Sequence, residues 1–274
     1  MELISSLQNP KIKRLVALQQ KSSERRKAGV FVVEGQREIM HCISACLEIE
    51  TIFFCPAIMN AGDREGLHRS NADVDAQSLL NKAKTIFKVT ANVYNKIAYR
   101  GGTEGIMAVV NTPTHSLAEL PTESAPLYVV LEKVEKPGNL GAILRSADAA
   151  GATSVIVCDP LTDLYNPNLI RSSIGAIFNV PVATCTSEEC ILWLKSHGVT
   201  ILTAQLQDSH LYYDTDMRRP TAIVMGTEAT GLTPQWREAA DAHIRIPMLG
   251  RLDSLNVSVS AAILLFEAVR QRQS

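Results

Sequence analysis

Three polar, glycine-bearing segments hold the residue types that could bind a ligand. They run from Asn139 to Arg145, from Gly226 to Gly231 and from Ser254 to Ser258. Glycine turns let main-chain amides and carbonyls approach a ligand, and asparagine and glutamate side chains make directional hydrogen bonds. An arginine can anchor a phosphate through two parallel hydrogen bonds. Each segment alone is also compatible with an ordinary turn, a helix cap or a surface arginine, so their joint order is the informative feature.

Each segment follows a hydrophobic run that predicts a buried strand. The runs cover residues 127–131, 221–225 and 243–247. Ligands of open parallel sheets bind beyond the carboxyl ends of the strands. We therefore expect the three segments to meet at one end of one sheet.

A nicotinamide-binding domain is a weak alternative for the first segment. A strand, a glycine turn, a helix and a second strand followed by Asp159 mimic the dinucleotide-binding order. The turn is GxxG, however, and lacks the GxGxxG that lets the backbone approach a pyrophosphate. Six residues, 132–137, also separate the strand from the first glycine, which is too long for a tight phosphate turn. No histidine lies in the three segments, so neither a histidine acid–base pair nor a metal is expected.

Residues 126–274 predict an α/β domain with a parallel sheet and helices on both faces, because strands and helices alternate. Gly151 is a plausible end for the first helix, Thr186 and Glu189 form a capping box, and Thr233-Pro234 starts another helix. The last helix is apolar almost all round, so we expect it to be buried. Further strands are predicted at 154–158 and 199–203, and helices at 140–150, 190–195 and 256–271.

Residues 1–112 predict a small mixed α/β domain, and the proline-rich residues 113–125 predict a linker. Helices are predicted at 10–20, 36–47 and 76–83. Strands are predicted at 30–33, 50–55, 86–89 and 106–110. Loops or turns are predicted at 22–29, 60–70 and 100–102.

Charge is unevenly distributed along the 274 residues, whose formal net charge is −1. Seven basic and two acidic residues give residues 1–30 a net charge of +5, as counted along the sequence. A basic end on a near-neutral protein is typical of RNA or DNA contact, although a solvated helix face explains it equally well. The candidate RNA-binding residues are Lys11, Lys13, Arg14, Arg25, Arg26 and Lys27.

Composition excludes a disordered chain, because 46% of the residues are hydrophobic and 20% are charged. No run approaches the ~18 apolar residues of a membrane span, and the N-terminus lacks the apolar region of a secretory signal. The six cysteines form no CxxC pair. This pattern favours buried free thiols in a reducing cytoplasm over disulfides or metal ligands.

The order of the motifs resembles the SpoU (TrmH) family of RNA ribose 2′-O-methyltransferases, within the SPOUT superfamily. The likeness rests on NxGxxxR, on GxExxGL and on an Ile-Pro-Met loop that leads into SLNVS before an apolar helix. It covers residues ~127–272. In the N-terminal part, Asn9–Lys13, Phe31–Gly35 and Gly105–Val109 look like the family's substrate-binding domain of ribosomal-protein-L30e type.

The resemblance implies a C-terminal trefoil knot, a homodimer, and transfer of a methyl group from S-adenosylmethionine to a ribose 2′-hydroxyl. The L30e-like domain favours rRNA, most of all 23S rRNA. A tRNA methyltransferase and a non-catalytic RNA-binding or ribosome-assembly protein are the alternatives. By motif position, the implied catalytic residues are Asn139, Arg145, Glu228, Ser254 and Asn256. The implied cofactor-binding residues are Gly226, Ile246, Met248, Leu255 and Ser258.

Within these implied roles, Arg145 matches the family arginine proposed as general base. An arginine side chain is costly to deprotonate, so anchoring a phosphate is the other role open to it. Glu228 is expected to pair with Arg145 or to orient Asn139. Ser258, one helical turn on, is more readily structural, and the apolar last helix is compatible with a dimer interface.

Overall fold

A computed structural model describes residues 1–59, 79–99 and 104–273 of the chain. The backbone divides into two compact units. Unit 1 comprises Met1–Pro113 with Tyr165–Ile170, and unit 2 comprises Thr114–Leu164 with Arg171–Ser274. Among the described residues, no helix is both long enough and apolar enough to cross a membrane.

Unit 1 is built on a mixed five-stranded sheet in the order β1-β4-β3-β5-β2. β5 pairs antiparallel with β2 and β3, whereas β4 pairs parallel with β1 and β3. The apolar sides of its helices cover the sheet, with Ile12, Leu15 and Leu18 buried at helical spacing. The strands are β1 (Glu2–Ile4), β2 (Val30–Glu34), β3 (Ile49–Phe54), β4 (Ala83–Val89) and β5 (Ile106–Asn111). The helices are α1 (Pro10–Gln20), α2 (Ser22–Ala28), α3 (Gln36–Ser44) and α4 (Ala91–Ile97).

The predicted loop at 22–29 is wrong, because Ser22–Ala28 forms α2. This helix ends at Gly29 in the left-handed conformation, and its last turn carries three basic side chains that favour a helix C-terminus. The predicted helix at 76–83 ends too late, since β4 begins at Ala83. Strand β1 and helix α4 were not predicted. The predicted loop at 60–70 and turn at 100–102 lie outside the described residues.

Unit 2 contains a seven-stranded sheet whose neighbouring strands all pair in parallel, as the alternating pattern predicts. The order is β10-β12-β9-β11-β6-β7-β8, so β6 and β11 lie side by side in the interior. Both are buried along their whole length, which explains their continuous apolar sequences. The strands are β6 (Leu127–Glu132), β7 (Ser154–Cys158), β8 (Val182–Cys185), β9 (Thr200–Ala204), β10 (His210–Leu211), β11 (Thr221–Met225) and β12 (Ala242–Arg245).

The later helices agree in part with the predictions. The capping box of Thr186 and Glu189 is confirmed at the start of α8, and Gly151 follows the end of α5 in the left-handed conformation. α6, α7 and β8 were not predicted. The helices are α5 (Pro137–Ala149), α6 (Pro167–Ser173), α7 (Ala176–Asn179), α8 (Ser187–Ser196), α9 (Pro234–Ala239) and α10 (Val257–Arg272).

The expected burial of the last helix is wrong for one of its faces. Val259 and Phe266 on α10 are 47% and 48% exposed, whereas Leu264 and Leu265 are buried. α10 packs against α5 and β11 on its buried side. The apolar residues of α10 therefore form two surfaces. One lies in the core of unit 2, and the other is exposed to solvent.

Candidate functional site

The three motif segments meet at the carboxyl ends of β6, β11 and β12, through a network centred on Glu228. Asn139 Nδ2 and Asn256 Nδ2 donate to Glu228 Oε1 over 2.9 and 2.8 Å. Asn256 Nδ2 also lies 3.1 Å from Asn139 Oδ1, and Lys136 Nζ donates to Glu228 Oε2. One carboxylate thus joins residues that are 89 and 28 positions away in sequence.

The surroundings of Glu228 keep it ionised. Donation from Lys136 Nζ, and then from Asn139, holds the pKa of the Glu228 carboxyl below its usual value. The same pair raises the pKa of Lys136. An ionised, fully engaged carboxylate orients the two asparagine amides rather than accepting a proton from a substrate. Of its two expected partners, Glu228 contacts Asn139 and not Arg145.

A tight turn carries Glu228 to this position. Thr227 and Gly231 exchange backbone hydrogen bonds of 3.3 and 3.0 Å across the turn. A Cβ on Gly226 would lie 2.3 Å from the Gly231 carbonyl carbon and 2.5 Å from the Leu232 nitrogen. Gly226 is therefore required by the close approach of two backbone segments, and this leaves its own backbone accessible beside a cavity.

The cavity has a volume of about 630 Å³, within the range of about 300–1,000 Å³ typical of small-molecule sites. Its wall combines the GxExxG turn with the loop after β12. Seven of the ten predicted catalytic and cofactor-binding residues line it: Gly226, Glu228, Ile246, Met248, Ser254, Leu255 and Asn256.

The other three predicted residues lie outside the lining. Asn139 reaches the wall through Glu228 and Asn256. Ser258 donates its amide and hydroxyl to Asn256 Oδ1 over 3.0 and 2.6 Å, so it belongs to the N-cap of α10. Arg145 is exposed on α5 and pairs with none of the residues that the structure describes. Its guanidinium is thus available to an external anion.

The glycine of the first motif fixes how α5 packs. A Cβ on Gly141 would lie 1.9 Å from Ser172 Oγ and 2.8 Å from the backbone nitrogen of Ser173. Only glycine allows this approach without displacing α6. The NxGxxxR spacing then puts Asn139 at the start of α5 and Arg145 nearly two turns later.

Two residues of the site carried no recognisable signal in the sequence. Lys136 precedes the Pro137 that starts α5, and only the fold shows that it faces Glu228. Gln205, just after β9, lines the cavity. A lysine before a proline and a glutamine after a strand are common on protein surfaces, so no pattern distinguishes them.

The six basic residues of unit 1 differ in their surroundings. Arg25 is only 5% exposed and donates to the Leu18 and Gln19 carbonyls over 2.6 and 3.1 Å, which is a structural position. Lys11 pairs with Glu2, and Arg14 forms a two-pronged pair with Glu50. The remaining three are exposed and have no partner among the described residues: Lys13, Arg26 and Lys27.

Comparison with known families decides the classification. Residues 126–266 match the model of the SpoU rRNA Methylase family, and residues 9–108 match that of the MRM3-like substrate binding domain. The chain belongs to the SpoU rRNA methylase family. The resemblance expected from NxGxxxR, GxExxGL and SLNVS is confirmed.

Several relatives of this SpoU family member align along nearly its whole length. It is 30% identical over 275 residues to the 23S rRNA (uridine(2479)-2′-O)-methyltransferase of Streptomyces viridochromogenes, covering 97% of this chain and 91% of that one. A crystal structure of an RNA 2′-O ribose methyltransferase is 37% identical, with a TM-score of 0.81, over 99% and 100% of the chains. The AdoMet-bound rRNA methyltransferase of Sinorhizobium meliloti is 28% identical, with a TM-score of 0.86, over 100% and 99%.

Proposed function

We propose that the protein methylates a ribose 2′-hydroxyl of 23S rRNA, using S-adenosylmethionine. The observation that carries this proposal is that the side chains of Asn139, Glu228 and Asn256 hydrogen-bond to one another at the wall of the 630 Å³ cavity. Family membership and the names of the relatives give the same reaction class and the same RNA.

The cavity residues suit S-adenosylmethionine. The exposed backbone around Gly226 offers amides and carbonyls to a polar heterocycle, while Met248 and Leu255 give apolar cover. Ile246 contributes to the same wall. When bound there, S-adenosylmethionine supplies the methyl group. Ser258 supports this site indirectly, because it holds Asn256 in the N-cap of α10.

Arg145 is proposed to bind the RNA phosphate next to the target ribose. Its guanidinium is exposed and unpaired among the described residues, and it offers N–H donors in a planar fork. A two-pronged contact to phosphate fixes the sugar, and such positioning can contribute several kcal/mol to a displacement reaction. Arg145 then acts by orienting the 2′-hydroxyl rather than as a general base.

We propose that a fixed polar surface at the catalytic site is formed by Asn139, Glu228 and Asn256. Ser254 would lie beside the reacting hydroxyl. Glu228 holds both asparagine amides, and Lys136 balances its charge. Ser254 is exposed on the cavity wall, where its hydroxyl lies 3.2 Å from Asp253 Oδ1. A fixed polar surface lowers the reorganisation needed when the substrate oxygen loses its proton.

Residues 1–112 are proposed to bind the RNA substrate, joined by a linker at 113–125 to a methyltransferase domain at 126–274. The match to a substrate-binding domain over residues 9–108 supports this division. Within that domain, Lys13, Arg26 and Lys27 are the basic side chains left free for phosphate, whereas Arg25 is assigned to the fold.

We infer that the protein is a cytoplasmic homodimer whose C-terminal part is threaded into a trefoil knot. Apolar side chains exposed near the last helix support a dimer surface: Leu249 and Leu252 are 97% and 75% exposed, beside Val259 and Phe266 on α10. The return of α10 from β12 to α5 and β11 is compatible with the knot. Sedimentation equilibrium tests the dimer, and a monomer at micromolar concentration would contradict it.

Transfer of label from S-adenosylmethionine to separated 23S rRNA, 16S rRNA and tRNA tests the proposed substrate. We expect label in 23S rRNA, either as free RNA or within a pre-ribosomal particle. Label confined to tRNA would reject the rRNA assignment. Cofactor binding with no label in any free or assembled RNA would reject the enzymatic function.

A further inference from the structure

Three cysteine side chains meet at one end of the parallel sheet in unit 2. Cys158 ends β7, Cys185 ends β8, and Cys190 lies near the start of α8. The three Sγ atoms all lie within 4.8 Å of one another, and those of Cys158 and Cys185 are 3.9 Å apart. Cys158 and Cys185 are also register partners on neighbouring strands. The positions of β7, β8 and α8 therefore bring the three thiols together.

We propose that Cys158, Cys185 and Cys190 bind one thiophilic d10 metal ion, Zn²⁺ or Cu⁺. Sulfur ligands at a metal–sulfur distance of about 2.3 Å lie about 3.8 Å apart in a tetrahedral site and about 4.0 Å apart in a trigonal one. The 3.9 Å between Cys158 and Cys185 matches this spacing without movement of the strands. Thiolate ligands select these soft ions over magnesium or calcium.

The burial of the cluster suits a site with an entrance. Cys158 and Cys190 are fully buried, whereas Cys185 is half-buried and open to solvent on one side. An ion can enter at Cys185 and lose its water as the two inner sulfurs bind. Neither these cysteines nor their elements line the cofactor cavity, so the two sites are separate.

Metal binding by these thiols has a chemical signature of its own. A metal ion bound by all three sulfurs replaces thiol protons, which pass to solvent, so binding must release protons.

Metal titration of the reduced full-length protein under anaerobic conditions tests the site. Zn²⁺ and Cu⁺ are used separately and in competition, with Co²⁺ as the spectroscopic substitute for Zn²⁺. We expect one ion per chain, a thiolate-to-metal charge-transfer band, proton release and a higher Tm. Absence of stoichiometric binding of both Zn²⁺ and Cu⁺ would overturn the proposal.

Two cysteine variants assign the ligands. Cys185→Ser changes the most accessible ligand and is expected to lose the band and to bind at least about 100-fold more weakly, since even outer partners of metal ligands contribute 10–100-fold. Cys46→Ser, at an exposed cysteine in unit 1, is the matched control and should bind like the wild type. Unchanged binding by Cys185→Ser, or lost binding by Cys46→Ser, would contradict the assignment.

Discussion

Replacing Gly226 with alanine should weaken cofactor binding without unfolding the protein. The new Cβ would lie 2.3 Å from the Gly231 carbonyl carbon and 2.4 Å from its oxygen, both of which are backbone atoms. The turn must therefore open. Overpacking of this kind costs about 1–3 kcal/mol. If the cost falls on the closed turn that shapes the cavity, binding weakens by about 5–150-fold, at about 1.4 kcal/mol per factor of ten.

The assay is calorimetric titration with S-adenosylhomocysteine, which binds but cannot donate a methyl group. Gly138→Ala is the matched control, because its Cβ would meet nothing within 4 Å and its backbone is helical. Circular dichroism and Tm check the fold of both variants. Wild-type affinity in Gly226→Ala, or equal losses in the two variants, would refute the assignment of the cavity to the cofactor.

Three further predictions concern catalysis, RNA binding and pH. Arg145→Ala should abolish methyl transfer while S-adenosylhomocysteine affinity stays unchanged; single-turnover transfer and calorimetry measure the two, and wild-type turnover would contradict the phosphate role. Changing Lys13, Arg26 and Lys27 together to glutamate should lower the salt slope of RNA binding by about 2. An unchanged slope in filter binding would mean that these three side chains do not contact the RNA. Lys21→Glu, at an exposed residue outside the predicted set, is the control. Because the pKa of Glu228 is lowered, its stabilising contribution is complete above pH ~4.3 and is lost as the pH falls through the lowered value. Glu228→Gln should therefore reduce the loss of unfolding free energy at acid pH, as measured by urea unfolding. An unaltered pH dependence would refute the ion pair with Lys136.

Strong local patterns were sufficient to predict the interior of unit 2. The apolar runs of β6 and β11 and the Thr186 capping box were recognisable because burial and capping leave direct marks in sequence. α2 was missed because Ser22–Ala28 is polar and short, and only its contacts and the Gly29 cap define it. β8 was missed because four residues give too little alternation to recognise.

The candidate site was predictable in its residues but not in all its contacts. Motif order placed Glu228 near Asn139, yet the choice between Asn139 and Arg145 depends on how α5 packs at Gly141. The place of Lys136 beside Glu228 depends on the same packing. The cysteine cluster could not be predicted from the sequence for a related reason. Cys158 and Cys185 are 27 positions apart and meet only through strand register.

Nucleoside analysis of labelled 23S rRNA tests whether the protein methylates a ribose 2′-hydroxyl of this RNA. After incubation with the wild-type protein and methyl-labelled S-adenosylmethionine, the RNA is digested to nucleosides and separated. We expect one labelled 2′-O-methylnucleoside, absent from the Arg145→Ala reaction. Label on a base rather than on the ribose, or equal label from Arg145→Ala, would contradict it.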